Sequence, residues 1–561
     1  MKRSIFLSAF TLFLFGSITM KAQVTERPRP AEWKNLIEGG RFMDRFLPMP
    51  AVGELTSDTW GDPAVVPRYI ANGIENRKWS FWGGNIKFCE DKKYHLFVCG
   101  WLESSLKGHA TWPGSIVFNA VSDHSYGPFV VKDTIGKGHN PEVFRLKDGR
   151  YMLYVIDGYY MADGCNGPWK YGKFEFLNRD RKLIEGNSNF TFAQRDDGSY
   201  LMICRGGGQW FSQTGLSPYN QVTGTRLSAD KKIIPLRAYP DIEGRFEDPV
   251  VWRDNVQYNL IVNDWLGRIA FYLRSKDGVS WKVEAGEAYV PGVSRHPDGK
   301  VEGWWKYERL KIFQDQYGRA VQGNFAVIDV EKKFDQASDN HSSKNICIPL
   351  TAGRLMTILD KDPKSKTFRV RIAAEPDFNP QTDIDLKSLV FGDPDNVNYG
   401  KGGKVLKSEK SGKDLVVTFD GAGIHFAEDE FSAKLLGKTT TGKLLFGYSR
   451  LPWVNFNEQI LSACLPVFNA TAKGYTLKAE VQNFGLAPSK PANLQVLNMT
   501  DGKETVIASG MISKLKPYQK ATIEMTCGKI FEKGKEYIIA LRINQQGKKP
   551  VLLHGKMAPE K

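Results

Sequence analysis

One phrase recurs five times at intervals of about 50 to 60 residues, and a period of that length constrains the fold more than any other feature. Each copy is a polar or small lead followed by apolar side chains: GGNIKF (83–88), GHNPEVF (138–144), NSNFTF (187–192), FEDPVVW (246–252) and YERLKIF (307–313). A polar turn follows each one, as EDKK, KDGR, DDGS, RDN and DQYG, and then a second apolar run such as YHLFVCGW or YMLYVIDGYY. A polar turn between two apolar runs is a hairpin signal. Third strands follow in SIVFNAVS (115–122) and RIAFYLRS (268–275). Units of three or four strands cannot bury a face alone, but fanned around an axis they can. The period therefore predicts an all-β chain with a five-bladed β-propeller over 60–350, its blades near 80–135, 136–185, 186–240, 241–300 and 301–350. A β-sandwich pair or a β-helix is the alternative.

If each phrase is the innermost strand of a blade, its leading residues share one end of a central channel. Asn85, His139 and Asn140, Asn189, Glu247 and Asp248, and Glu308 and Arg309 would then converge on one pocket. Glu142, two residues beyond Asn140, shares its face and lies deeper. Glu247 and Asp248 are adjacent, so strand alternation sends at most one of them into the channel.

After ICIPLTAGRLMTIL the pattern stops. Residues 351–463 read as a small β-domain. Residues 464–561, with alternating runs such as YTLKAEVQNFG and KATIEMT, read as an immunoglobulin-like sandwich. No exposed aromatic row stands out there, so a spacer or packing role is expected.

The chain opens MKRSIFLSAFTLFLFGSITMKAQ, a basic start, an apolar run and a small-residue site. This predicts a signal peptide over 1–22, cleaved near Ala22, and export to the periplasm or beyond. The run is short for a membrane anchor and is broken by Ser, Thr and Gly. No later segment reads as a transmembrane helix. The formal charge of +15 comes from scattered lysines, with no Arg-rich helix or zinc spacing. That argues against nucleic acid and for an anionic substrate or surface. The seven cysteines are widely spaced and form no CxxC, so most read as buried small hydrophobes. A monomer or small homo-oligomer is expected.

The predicted propeller, the Asp-Pro strand start in FEDPVVW, the D-G-x-Y hairpins in KDGRYMLY and DDGSYLMI, and the GPW and GPF turns resemble the five-bladed glycoside hydrolases of families 43, 62, 32 and 117. The resemblance spans about residues 60–350. It implies hydrolysis of a glycosidic bond by an acid and a second carboxylate. The family 43 pattern implies acids on the first three blades, where this chain offers Asn85, Asn140 and Asn189. An amide neither delivers a proton nor activates water. Family 117 is the closer likeness and implies an exo-acting, inverting enzyme on algal oligosaccharides, with a histidine acid beside carboxylates.

On that likeness the catalytic candidates are Asp248, Glu308 and His296, with Asp62 of SDTWGDPAVVPRY as the water-activating carboxylate. Each has a structural alternative. Asp248 could cap a strand, His296 could sit on a surface loop, Glu308 could pair with Arg309 or Lys311, and Asp62 could end a turn. Burial beside Trp304, Trp305 and Tyr307 predicts a raised pKa for Glu308. Trp82 is the first choice as a sugar platform, and Arg205 and Arg268 are the anchors for an acidic group. Asn85, His139, Asn140, Glu142, Asn189 and Glu247 complete the predicted substrate-binding set. No cofactor or metal is expected. A divalent cation stays open, although His139, Asn140 and Asp248 suit Ca²⁺ poorly and Zn²⁺ incompletely. A lyase or metal-dependent deacetylase on the same scaffold, and a glycan-binding protein without catalysis, are the rival readings.

Overall fold

The computed structural model describes residues 26–58, 66–177, 188–223 and 246–557, except 342, 530 and 533. The predicted signal peptide and Asp62 lie outside the described residues. The described chain is all-β apart from short helical turns, and each of the five phrases runs into the first strand of an antiparallel sheet.

Sheet I is built from Trp79–Phe88, Tyr94–Leu102, Ile116–Ser122 and Val130–Lys137. Sheet II is built from Glu142–Arg145, Tyr151–Val155, Gly158–Ala162 and Lys170–Gly172. Sheet III comprises Thr191–Gln194, Tyr200–Ile203, Gln209–Ser212 and Tyr219–Val222, with Phe176–Leu177 added in parallel at its outer edge. Sheet IV is Phe246–Arg253, Tyr258–Asp264, Ile269–Ser275 and Lys282–Tyr289. Sheet V has Lys306–Gln314, Ala320–Ile328 and Ser343–Pro349.

The sheets face one another in cyclic order. The first strand of sheet I lies against the first strands of sheets II and V, and that of sheet IV against those of sheets III and V. Sheets II and III are joined by Glu142, which accepts from Thr191 Oγ1 and Phe192 N. Apolar side chains fill the wedges between neighbours: Phe144, Met152, Phe192 and Trp210 between II and III, and Ile261, Tyr272, Phe325 and Ile346 between IV and V. First strands are buried, whereas the fourth strand of sheet I is exposed along most of its length.

Among the described residues sheet V has three strands, and the segment ahead of sheet I covers its outer edge. Ile74 bridges Asn345, and the Asn72 amide bonds both backbone groups of Cys347, at 2.9 and 2.8 Å. The segment ahead of sheet I is thereby fastened to the end of the five-sheet array. Residues 26–45 wrap sheet IV in the same way, through Arg27 to Asp264 at 2.5 Å and Arg29 and Arg41 to Glu287. One pair of cysteines departs from the sequence reading. Cys89 and Cys165 form a disulfide between sheets I and II, and they lie too far apart in sequence to form a compact spacing pattern.

Beyond sheet V, four strands from Met356–Ile358 to Asp414–Asp420 and three from Ile384–Gly392 to Leu444–Arg450 enclose a core that includes Phe368, Phe391 and Phe419. A second pair of four-stranded sheets spans Leu461–Ala463 to Val551–Met557 around Leu477, Val496 and Leu541. Among the described residues no helix is long and apolar enough to cross a membrane.

Closure of the array depends on a close backbone approach at Gly73. Its φ is +73°, and a Cβ there would fall 1.8 Å from the Asn345 carbonyl oxygen. Gly73→Ala should therefore lower stability by more than about 2 kcal/mol, combining left-handed strain with the clash. Gly114→Ala, which meets nothing within 4 Å, should stay within about 0.5 kcal/mol of the parent. Thermal melts of both variants check this.

Candidate active site at the channel mouth

A backbone feature marks the same place in every sheet. Near the start of each first strand one residue turns left-handed: Gly83 at φ +47°, Asn140 at +53°, Asn189 at +54°, Asp248 at +49° and Arg309 at +50°. In sheets I, IV and V the pairing register shifts at this point. The equivalent of Asn140, Asn189 and Asp248 in sheet I is therefore Gly83, not Asn85 as the sequence phase suggests. Asn85 lies two residues deeper, level with Glu142, Thr191 and Lys311. The bulge also overturns the expectation that only one of Glu247 and Asp248 reaches the channel, because strict alternation fails there.

The left-handed residues form a belt. Asn140 Nδ2 donates to Asn189 Oδ1 at 2.9 Å, and Asn189 Nδ2 to Asp248 Oδ1 at 3.1 Å. Arg309 donates to Asp248 twice, from Nη1 at 2.8 Å and from its backbone N at 3.2 Å. Gly83 completes the circle: a Cβ on it would lie 3.4 Å from Arg309 and 3.5 Å from Asn140 Oδ1. Asp248 is 4% exposed and wholly engaged.

Beneath the belt, Asn85 bonds both backbone groups of Val143, each at 2.8 Å. Glu142 is ion-paired with Lys311. Thr191 Oγ1 accepts from Val251 N at 3.1 Å.

Above the belt, the residues one step earlier include Trp82, His139, Glu247 and Glu308. Glu308 is 3% exposed and held between Lys306 at 2.6 Å and Lys332 at 2.5 Å. Burial raises its pKa, but the two ammonium groups outweigh burial and hold it below the usual carboxylate range. This corrects the expectation of a raised pKa, and it replaces Arg309 and Lys311 as salt-bridge partners. Glu247 is pushed the other way, up to about 7, by burial first and then by Asp248 and Glu308, while Arg205 at 2.6 Å opposes the shift. Two carboxyl groups whose environments drive their pKa values apart are the mark of an acid–base division of labour.

His139 stacks 4.8 Å from Trp112 and meets Ser115 Oγ at 3.0 Å. His109 packs edge-on against Trp82 at 4.7 Å. Burial drives both imidazoles well below their ordinary pKa. For His139 the Arg309 charge adds to this, for His109 that of Lys332, so both are neutral near pH 7.

The other predicted residues are distributed as follows. Trp82 is not an open platform: it is 2% exposed, with the Lys332 ammonium 4.7 Å from its ring centre. Half-exposed rings at the mouth belong instead to Trp112, to Trp265 under Lys306 and to Trp305 under Arg268. Arg268 is paired with Glu26 at 2.5 Å. His296 is buried rather than solvent-facing, and its partners are Glu302 at 3.1 Å and the Tyr69 ring. Among the described residues neither is hydrogen-bonded or ion-paired to Glu247, Asp248 or Glu308. Sequence reasoning missed Lys306, Lys332 and His109. Lys306 stands two residues before Glu308 in the phrase, but Lys332 and His109 arrive on loops with no repeat signal. Among the described residues one group of metal-type donors lies in mutual reach, Cys89, Glu90 and Cys165, and its two cysteines are joined in the disulfide.

The loops carrying His109 and Lys332 meet at a cluster of acids. Ser338 N donates to the Glu103 carbonyl at 2.9 Å, Ser80 Oγ to its carboxylate at 2.6 Å, and Asp335 accepts from the backbone of His109. Burial first, and then the neighbouring acids, push Glu103 up to about 7 and Asp335 up to about 8.

No protein-family model and no curated protein matches the chain. Among solved structures, a thermostable family-43 glycoside hydrolase is similar at 13% identity with a TM-score of 0.31, covering 49% of this chain and 90% of its own. A family 117 glycoside hydrolase of the marine bacterium Zobellia galactanivorans is similar at 11% and 0.33, covering 54% and 90%. An alpha-L-arabinofuranosidase from Lactobacillus brevis is similar at 12% and 0.33, covering 49% and 91%. At these identities and scores the likeness assigns neither fold nor activity; the chemistry rests on the residues above.

The raised carboxyls have a stability consequence. Their folded-state pKa values exceed the unfolded ones, so their contribution is full below about pH 4 and is lost as pH rises through 7 to 8. Asp335→Asn should remove much of that loss. Its melting temperature at pH 9 should exceed the parent's, by an amount corresponding to about 2–4 kcal/mol, with little gain at pH 5. Thermal melts at the two pH values measure it.

Proposed function

We propose that the chain is an exported glycosidase whose five sheets are the blades of a β-propeller catalytic domain over 60–350, followed by small β-domains at 351–463 and 464–561. The observation that carries this reading is the carboxyl pair at the channel mouth. Glu247, titrating near neutrality, is the acid that protonates the leaving oxygen. Glu308, kept ionised by Lys306 and Lys332, is the second carboxylate. With Glu308 activating water, the reaction inverts the anomeric centre. Asp248 is a positioning residue that keeps Glu247 protonated by its charge, and no step is assigned to His296. Half-exposed Trp112, Trp265 and Trp305 offer apolar faces to sugar rings.

The mouth carries more positive than negative charge, counting Arg205, Lys306 and Lys332 against Glu308 and a partly protonated Glu247. This favours an acidic plant or algal oligosaccharide as substrate. Exo-action and export are parts of the same proposal; their support is the resemblance of the sequence motifs to family 117 and the N-terminal sequence. Glycan binding without turnover is the second reading, favoured by the clamping of Glu308 between two ammonium groups.

A screen of aryl glycosides and defined acidic oligosaccharides, with the product anomer followed by NMR, tests the activity. Glu247→Gln should lower kcat/KM on natural linkages by about 10²–10⁴ and far less on a glycoside with an activated phenol leaving group. Glu308→Gln should abolish both. The parent's kcat/KM should fall as pH rises through about 7, as Glu247 loses its proton. Hydrolysis that survives both substitutions sinks the assignment, and tight binding without hydrolysis selects the second reading.

A further inference from the structure

The channel has a second end. Lys87, Arg145, Gln194, Arg253 and Gln314, one from the far end of each first strand, line a cavity of about 330 Å³ walled by aromatic rings that include Trp252. It lies at the opposite end of these strands from Glu247 and Glu308 and shares no residue with the mouth.

Charge inside the channel does not cancel. Asp248 is paired with Arg309 and Glu142 with Lys311. Lys87, two residues beyond Asn85 on the same face, has no hydrogen-bond or ion-pair partner for its ammonium among the described residues. The nearest acid that influences it is Glu142, already engaged by Lys311; burial itself lowers the Lys87 pKa. Lys87 is half-buried, and its side chain lines the cavity, where a bound anion would meet its ammonium. Beside it, Arg145 is held at Nε by the Gly149 carbonyl at 3.1 Å and over the Tyr151 ring. Its Nη groups make no hydrogen bond among the described residues. Arg253 is anchored by Asp196 at the rim, and Gln314 donates to the Arg253 carbonyl at 3.0 Å, steadying that wall. The arrangement supplies an ammonium without an ion-pair partner, an orientated guanidinium fork and room for a ligand; Glu90, which the Arg145 charge reaches, accepts from Tyr151 instead.

We infer that this far cavity is a binding site for a small oxyanion, a carboxylate, sulfate or phosphate group, held by Lys87 and Arg145 with Arg253 at its rim. Guanidinium and ammonium groups together grip such an anion through charge-assisted hydrogen bonds. The site is independent of the proposed glycosidase chemistry.

Calorimetric titration and thermal shift of the full mature chain test it, with inorganic sulfate, inorganic phosphate and glucuronate, each balanced against chloride at constant ionic strength. Saturable one-site binding is expected, weakened about tenfold or more by Lys87→Met and by Arg145→Gln. Lys87→Arg should keep the affinity within about threefold. Arg145 is exposed, so its variant carries the test if the Lys87→Met protein fails to fold. Binding of the inorganic ions identifies a free anion as the ligand, and binding of glucuronate alone identifies an acidic sugar. No saturable binding of any of the three, or binding unchanged in the Arg145 and Lys87 variants, overturns the proposal.

Discussion

The inner edge of each sheet presents backbone N–H groups with no strand to receive them, and the structure depends on how those groups are satisfied. An unpaired buried donor costs about 1–3 kcal/mol, and five sheets meeting at one axis multiply the problem. The solution is a side-chain relay. Asn85 of sheet I accepts Val143 N of sheet II, Glu142 accepts Phe192 N of sheet III, and Thr191 accepts Val251 N of sheet IV. The three acceptors are equivalent positions, and so are the three donors. At the next step the equivalent residue is Val250, which cannot accept, and Asp248 takes over by receiving Arg309 N one level higher. The Asp248–Arg309 ion pair is therefore the relay's last link and the belt's strongest one. Removing one partner of a buried pair of this kind typically costs about 3–5 kcal/mol.

Filling the axis this way sorts charge along it. In the middle, carboxylates and cations cancel through Asp248–Arg309 and Glu142–Lys311. Towards the mouth the same Asp248 charge acts on Glu247 and helps keep its proton on, while Lys306 and Lys332 keep the proton off Glu308. Towards the far end, Lys87 is left over. One set of buried charges thus builds the scaffold, separates the two carboxyl groups chemically, and leaves an electropositive cavity behind.

The period of the phrase was enough to place five sheets and to bring Asp248, Glu308, Asn140 and Asn189 to one axis. The offset at Asn85 was not legible, because a β-bulge leaves no mark in an alternation of apolar letters; only the left-handed backbone equates Gly83 with the three polar residues. Lys332 and His109 sit on loops whose positions are set by contacts between sheets V and I, such as Ser338 with Glu103, and no local pattern encodes those. The surface-loop alternative for His296 rests on the Pro297-Asp298 pair that follows it, yet the fold buries His296 against Glu302 and Tyr69. The Glu308 pKa was misjudged for a related reason. Burial beside aromatics was readable, but the ammonium of Lys332, 24 residues further on, was not.

The same logic bears on the two-sheet sandwich of residues 356–450 that follows sheet V. Arg274 of sheet IV is buried and pairs with Glu284 of its own sheet at 2.5 Å and with Glu430 of the sandwich at 3.2 Å; Lys434 of the sandwich reaches Glu284 at 3.7 Å. The three cations near it, Arg45, Arg274 and Lys434, hold Glu284 down to about 2 against the opposing effect of its burial. A buried network of this kind adds little net stability over an apolar interface, but it tolerates few alternative registers, because any slip strands a charge in a dry environment. Sheet IV is also the sheet whose first strand carries Glu247 and Asp248. The sandwich is thus bonded to the sheet that carries Glu247, and acts as a buttress that fixes sheet IV, not as a module hung on a flexible tether.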